Sequence, residues 1–309
     1  MVYIDADQRN ADWIKVVGRA KEFSPWSHAR VKEQCAGPYR NYVNEIRERH
    51  LRWFAARPAE LRAGQAWSSA TREGAFPPGW GHLAQALPTS AWHRHHLSAG
   101  SSQVLALALV AAAEAAQPNG SWLPHVRSAA TATIFEVELG SRVLNERPRK
   151  TSLDVVMCAP EHLVVGEAKF TEAGLGRCSC ERRDEGVCSP RVEERPYWDI
   201  ARRELGLRRQ PGRCAVSLAY QAVRNVAAAA ALARGRQVEF VLFHDTRNPY
   251  FTGAGEWPGW VAVLTGLMAP SRVRFSAVSW QALLGRTALD PGVVAWAREK
   301  HGLVASDVA

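Results

Sequence analysis

Residues 152–172 read SLDVVMCAPEHLVVGEAKFTE, two apolar runs separated by a Pro-Glu step. Val, Leu and Met in short blocks on either side of a turn-forming pair predict two strands of a hairpin. Closing the turn at Pro160-Glu161 with Ala159 and His162 fixes the register and sets Asp154 directly opposite Glu167. Side chains alternate between faces along a strand, so Glu167 and Lys169 point the same way. Two carboxylates side by side repel unless a cation joins them. Mg²⁺ suits the task because it takes carboxylate oxygens and keeps several waters. Lys169 beside the pair can orient or deprotonate a water, or neutralise charge on a phosphate. The constellation is suited to phosphodiester hydrolysis.

Composition makes the Lys more informative. Of 39 basic residues, the lysines are only Lys15, Lys21, Lys32, Lys150, Lys169 and Lys300. Arg supplies nearly all the other positive charge, yet Arg cannot replace a compact amine. Lys stands at 169, where the chemistry asks for one.

Working outward, Ser101-Ser102-Gln103 opens a helix that runs through VLALALVAAAEAA to about Ala116 and stops before Pro118-Asn119-Gly120. It is apolar all round, which predicts burial. Thr131–Gly140 is a strand candidate with Ile134, Glu136 and Glu138 on one face, so Glu136 and Glu138 are candidates for a further metal ligand. Downstream, Ala215–Arg234 reads as a helix, with Gln221 and Asn225 at helical spacing. Gln237–Asp245 is an apolar strand. Trp260–Met268 is a short helix, Val273–Val278 a further strand and Pro291–Lys300 a terminal helix. The first hundred residues read as helical and irregular, with helices expected at Trp13–Phe23, Arg40–Arg57 and near Gly81–Leu87. Their Trp residues, interleaved with Arg, are expected mainly to pack on the core, stacking on bases being the other option.

Asp154 and Glu167-Ala168-Lys169, on two consecutive apolar strands, resemble the PD-(D/E)xK nuclease superfamily of restriction-endonuclease-like proteins. Leu153 stands where that pattern often has Pro. The element order from residue 101 matches the family's core, and the likeness covers about residues 95 to 250. The resemblance implies an α/β fold: a mixed sheet in the order α-β-β-β-α-β, flanked by helices. Outside the likeness, residues 1–95 read as a helical N-terminal extension packed on a nuclease-like domain (96–309) that carries an insert at about 174–213. It implies that Asp154 and Glu167 hold Mg²⁺ or Mn²⁺ and that Lys169 assists the attacking water. The helix after the Glu-x-Lys strand then offers Gln221 to position water or phosphate and Arg224 to bind phosphate. SSQVLALAL resembles the start of the corresponding helix in related proteins, making Gln103 a candidate substrate contact, with simple capping as its other reading.

The insert is polar and carries Cys178, Cys180 and Cys188, with Cys214 just beyond. Four thiolates can hold Zn²⁺ or an iron–sulfur cluster. A segment without a core of its own gains from such a staple, and some members of the superfamily carry Cys clusters as inserts. Free, unrelated thiols are the alternative.

The chain has 309 residues and a formal net charge of +9, which suits a polyanionic partner. Its apolar runs are too short to span a bilayer and its N-terminus lacks a signal core, so a cytoplasmic protein is expected. The expectation is a Mg²⁺-dependent nuclease acting on nucleic acid, DNA first, as an endonuclease in restriction, defence or repair. A homodimer is compatible with it. The alternatives are a non-catalytic, Cys-stapled DNA-binding protein on a degenerate core, or an exonuclease with an iron–sulfur cluster.

Overall fold

A computed structural model describes residues 26–65, 67–123, 126, 132–144, 151–176, 200, 203–205 and 218–306. The expected helix at 13–23, the expected Cys-bound metal (Cys178, Cys180, Cys188, Cys214) and nearly all of the insert lie outside these residues.

Five strands form one mixed sheet in sequential order. They are β1 (Ala132–Glu138), β2 (Ser152–Cys158), β3 (His162–Ala168), β4 (Gln237–His244) and β5 (Val273–Ser279). The first three are antiparallel, while β3, β4 and β5 are parallel. Helices flank the sheet: α1 (His28–Ala55), α2 (Ser102–Ala116), α3 (Ser141–Leu144), α4 (Tyr220–Leu232), α5 (Pro249–Thr252), α6 (Trp260–Met268), α7 (Trp280–Arg286) and α8 (Pro291–His301). From α2 onward the order is the α-β-β-β-α-β core of the restriction-endonuclease-like fold. A parallel pair needs a crossover, and α4 supplies it between β3 and β4.

Two apolar clusters sandwich the sheet. One joins Val155, Val164, Val241 and Phe243 to α1, α2, α7 and α8. The other joins Val156, Leu163, Val165, Phe240 and Leu242 to α4 and α6. α2 is buried from Val104 to Val110, as its all-round apolar sequence demands. The hairpin closes at the expected turn, the Ala159 N–H donating to the His162 carbonyl at 2.8 Å.

Two expectations need correction. α1 begins at His28, well before Arg40, and runs straight through the exposed Pro38. An internal Pro costs a helix about 3 kcal/mol. Here the buried residues Val31, Cys35, Tyr42, Ile46, Trp53 and Phe54 lie on both sides of it and pack on the core, and that burial outweighs the break. The segment near Gly81–Leu87 is a single 3₁₀ turn, Gly81–Gln85, too short for a cooperative α-helix.

Candidate functional site

Register alone assembles a row of carboxylates across three strands. The pairs Val155–Gly166 and Val156–Val165 put Asp154 of β2 opposite Glu167 of β3. The pairs Phe135–Val155 and Val137–Leu153 put Glu136 of β1 opposite Asp154. Gly166, next to Glu167, has no room for a side chain: a Cβ there would stand 2.8 Å from the Phe243 ring. The ring packs against the strand backbone, and the acid follows one residue later.

Glu136 departs from strand geometry. Its φ is 51°, in the left-handed region. Such a conformation costs a residue with a Cβ roughly 1–2 kcal/mol. The residue is only 8 % exposed. Its Oε2 accepts from Ser152 Oγ at 3.2 Å and lies 3.3 Å from His93 Nε2. One donor atom each from His93, Glu136 and Asp154 falls within 4.8 Å of the others. Asp154 Oδ2 accepts the Ala168 N–H at 2.8 Å. Among the described residues no protein donor meets the other oxygen of Asp154 or of Glu136. Glu138, the other acid expected on this strand face, is exposed at the end of β1.

Glu167, next in the row, is buried. It forms an ion pair with Lys169 and accepts from the Asn225 side-chain amide of α4. Lys169 is buried beside it, just past the end of β3. Burial opposes its charge, but Glu167, Glu172 and Asp154 outweigh burial and raise its pKa above the ordinary Lys value. Burial, then the neighbouring Glu167, push the Asp154 carboxyl well above the usual range. Lys169 pulls the other way, and Glu136 adds to the rise. The hydrogen bond to Glu136 raises the His93 imidazole, against its own partial burial.

The chain leaving β3 is tied down on every side. Glu172 accepts from Ser102 Oγ at 2.5 Å and from its neighbour Phe170 N–H at 2.6 Å. Tyr39 of α1 donates to the Thr171 carbonyl at 2.6 Å, Tyr42 and Asn248 to that of Phe170 at 3.0 and 2.8 Å, and Trp280 to that of Lys169 at 2.9 Å. The N-terminal helix therefore helps position Lys169.

The triplet Ser101-Ser102-Gln103 is divided among three tasks. Ser101 caps α2, accepting the Val104 N–H at 3.4 Å, and Ser102 holds Glu172. Gln103, buried, accepts from the His93 N–H at 3.0 Å and donates to the Ala91 carbonyl at 2.9 Å. It fixes the loop that delivers His93. On α4, Gln221 lies against Gly176 and Arg224 over the Tyr220 ring, 5.2 Å from its centroid. Asn225, one turn beyond Gln221, is the α4 side chain that reaches the row.

Sequence reasoning brought Asp154, Glu167, Lys169 and Glu136 together but missed His93, Asn225 and Glu172. The first stands in the His-rich run WHRHH just before the Ser-Ser-Gln triplet. The second is a lone amide at the head of an Ala-rich stretch, where a buried polar group needs a partner. The third follows Lys169 by three residues.

The donor set, two carboxylates and an imidazole, is of the kind that holds a divalent ion. No described helix is long and apolar enough to cross a membrane. Comparison with curated proteins and with solved structures found no match. A family model does match, over residues 64–298, and so over most of the chain: this protein belongs to the family described as restriction endonuclease associating with ARP.

Proposed function

We propose that the chain is a Mg²⁺- or Mn²⁺-dependent nuclease of the PD-(D/E)xK type, hydrolysing phosphodiester bonds of DNA. The observation that carries the reading is the row Glu136–Asp154–Glu167 with Lys169 beside it, on a fold whose family is that of restriction endonucleases. Asp154 and Glu136, joined by His93, would hold the ion, and Glu167 flanks it. The ion, when bound, supplies Lewis acidity that makes a nearby water more acidic and stabilises negative charge on the phosphate.

The chain's own residues divide the remaining work. Lys169 stays protonated between its carboxylates, so it donates to a phosphate oxygen or orients the attacking water rather than removing a proton. Glu167, held by Asn225, keeps the ammonium aimed. Gln221 and Arg224 share α4 with Asn225 and are assigned to substrate contact, Arg224 to a phosphate. Gln103 acts on substrate through the His93 loop. An endonuclease in restriction, defence or repair accommodates all these roles.

The test is cleavage of linear, circular and single-stranded DNA with Mg²⁺, with Mn²⁺ and with chelator. Metal-dependent cleavage by the wild type should fall by about 10³-fold in Lys169→Ala, with DNA binding retained. Undiminished cleavage in that variant would sink the assignment.

A further inference from the structure

The described arginines of the N-terminal half differ in their partners; Arg72 meets His96, and Arg52 is exposed. Arg30, Arg49 and Arg57 are paired with Glu256, Glu45 and Glu60. Arg40, Arg47, Arg62 and Arg94 are exposed and have no carboxylate partner among the described residues. Arg40, Arg47 and Leu51 lie along one stripe of α1 by helical spacing. Leu51 is 47 % exposed and Trp67 is 37 % exposed. Of the other N-terminal tryptophans, Trp53 and Trp92 are buried. The Arg47 guanidinium lies over the Trp67 ring, 5.8 Å from its centroid. Glu48 is the exposed acid on the neighbouring face of α1.

A chain of hydrogen bonds links this patch to the carboxylate row. The Trp67 carbonyl accepts from the Ala99 N–H at 2.7 Å, and Ser69 N–H donates to the Leu97 carbonyl at 2.9 Å. One residue past Ala99, the Gly100 carbonyl accepts from Thr171 Oγ1 at 3.1 Å, and Ser102 holds Glu172. Arg94 is the direct neighbour of His93. The segment 97–102 therefore holds the Trp67 backbone at one end and carries two supports of the site at the other.

An exposed indole beside unpaired guanidinium groups matches the way single strands are held: a base stacks on the ring and the cations follow the phosphates. A base stacked between its neighbours inside a duplex has no free face to offer. We propose that Trp67, with Arg47, Arg40, Arg62 and Arg94, forms a platform for an unpaired nucleotide segment that leads into the carboxylate row. The proposal rests on the nuclease reading and adds to it the preferred substrate, a single strand or an unpaired stretch beside the cleaved bond.

The experiment is fluorescence anisotropy in chelator, so that no cleavage intervenes, using a labelled oligothymidylate and a blunt duplex. Trp67→Ala should weaken oligothymidylate binding roughly tenfold and change duplex binding less than about twofold. Trp67→Phe should keep most of the affinity. Arg47→Gln should weaken both substrates and lower the salt slope by about one. If Trp67→Ala does not fold by circular dichroism, Trp67→Leu, apolar but without an aromatic face, repeats the test. Wild-type affinity in the folded variant, or an equal loss on both substrates, overturns the platform. Either result leaves the nuclease reading standing, because that reading is decided by cleavage in Lys169→Ala.

Discussion

Two acidic centres sit close together at the strand ends of this sheet, and they are built on opposite principles. At the end of β4, Asp245 is fully buried and fully answered. Its Oδ1 accepts from Gln281 Nε2 at 2.6 Å and from Arg247 Nε at 3.0 Å, and its Oδ2 from Arg247 Nη2 at 2.6 Å and Tyr42 at 3.1 Å. The guanidinium also meets the half-buried Glu45 at 3.1 Å, and neutral donors complete the shell of Asp245. At the ends of β1, β2 and β3, Glu136, Asp154, Glu167 and Glu172 converge with one ammonium, Lys169, and one imidazole, His93. The first centre is a closed structural ion pair. In the second, the acids outnumber the cations among the described residues. That imbalance, with the left-handed backbone of Glu136, is what motivates the proposed cation site.

The sharpest way to break this contrast is to truncate Asp245. Asp245→Ala leaves Arg247 without its buried partner and should cost about 3–5 kcal/mol in chemical denaturation. A neutral result would mean that the β4 centre is not structural.

Acid should also act on the structural side of the molecule. His50 and His301 are buried against each other, with ring nitrogens 3.4 Å apart. Burial, then Lys300, depress His50 to about 3, and burial, then His50, hold His301 well below its usual value. Both folded values lie below the unfolded value of about 6.5. The unfolded chain therefore binds more protons, and stability is lost as pH falls below about 6.5. The slope is about 1.4 kcal/mol per pH unit for each histidine. Thermal melts from pH 7 to 4 should show it, and His50→Gln should flatten the curve.

Gln103 probes the other centre from a distance. Gln103→Ala frees the loop carrying His93 without touching a carboxylate, and should weaken Mn²⁺ binding about 10- to 100-fold. Unchanged affinity would remove His93 from the ion site. The smallest effect is expected at Asp154. Asp154→Asn relieves like-charge crowding and can still accept the Ala168 N–H, so the metal-free protein should gain about 1 kcal/mol. A loss of stability there would make Asp154 a structural group like Asp245.

Much of this was legible in the sequence because it depends on local rules. Alternation and a two-residue turn fixed the hairpin register, and with it the opposition of Asp154 and Glu167. The apolar run after Gln103 announced a buried helix. Legibility failed where tertiary packing decides. Pro38 reads as a helix break, yet burial on both sides carries α1 through it. Glu136 reads as an ordinary strand residue, but its φ is left-handed, which no alternation pattern announces. His93 is brought to Glu136 by a loop whose path depends on Gln103, and no spacing rule connects them. Asn225 and Gln221 look alike on a helical wheel, and only the packed structure shows that Asn225 meets Glu167 while Gln221 lies against Gly176.

Titration calorimetry with Mn²⁺ tests the central claim most directly: the excess of carboxylate at the β1–β2–β3 ends is a cation site. The wild type should bind the ion, both Glu136→Gln and Asp154→Asn should lose that binding while remaining folded, and Asp245→Asn, to the extent that it folds, should keep it. Mn²⁺ binding that is absent from the wild type, or undiminished in Glu136→Gln and Asp154→Asn, would contradict the account.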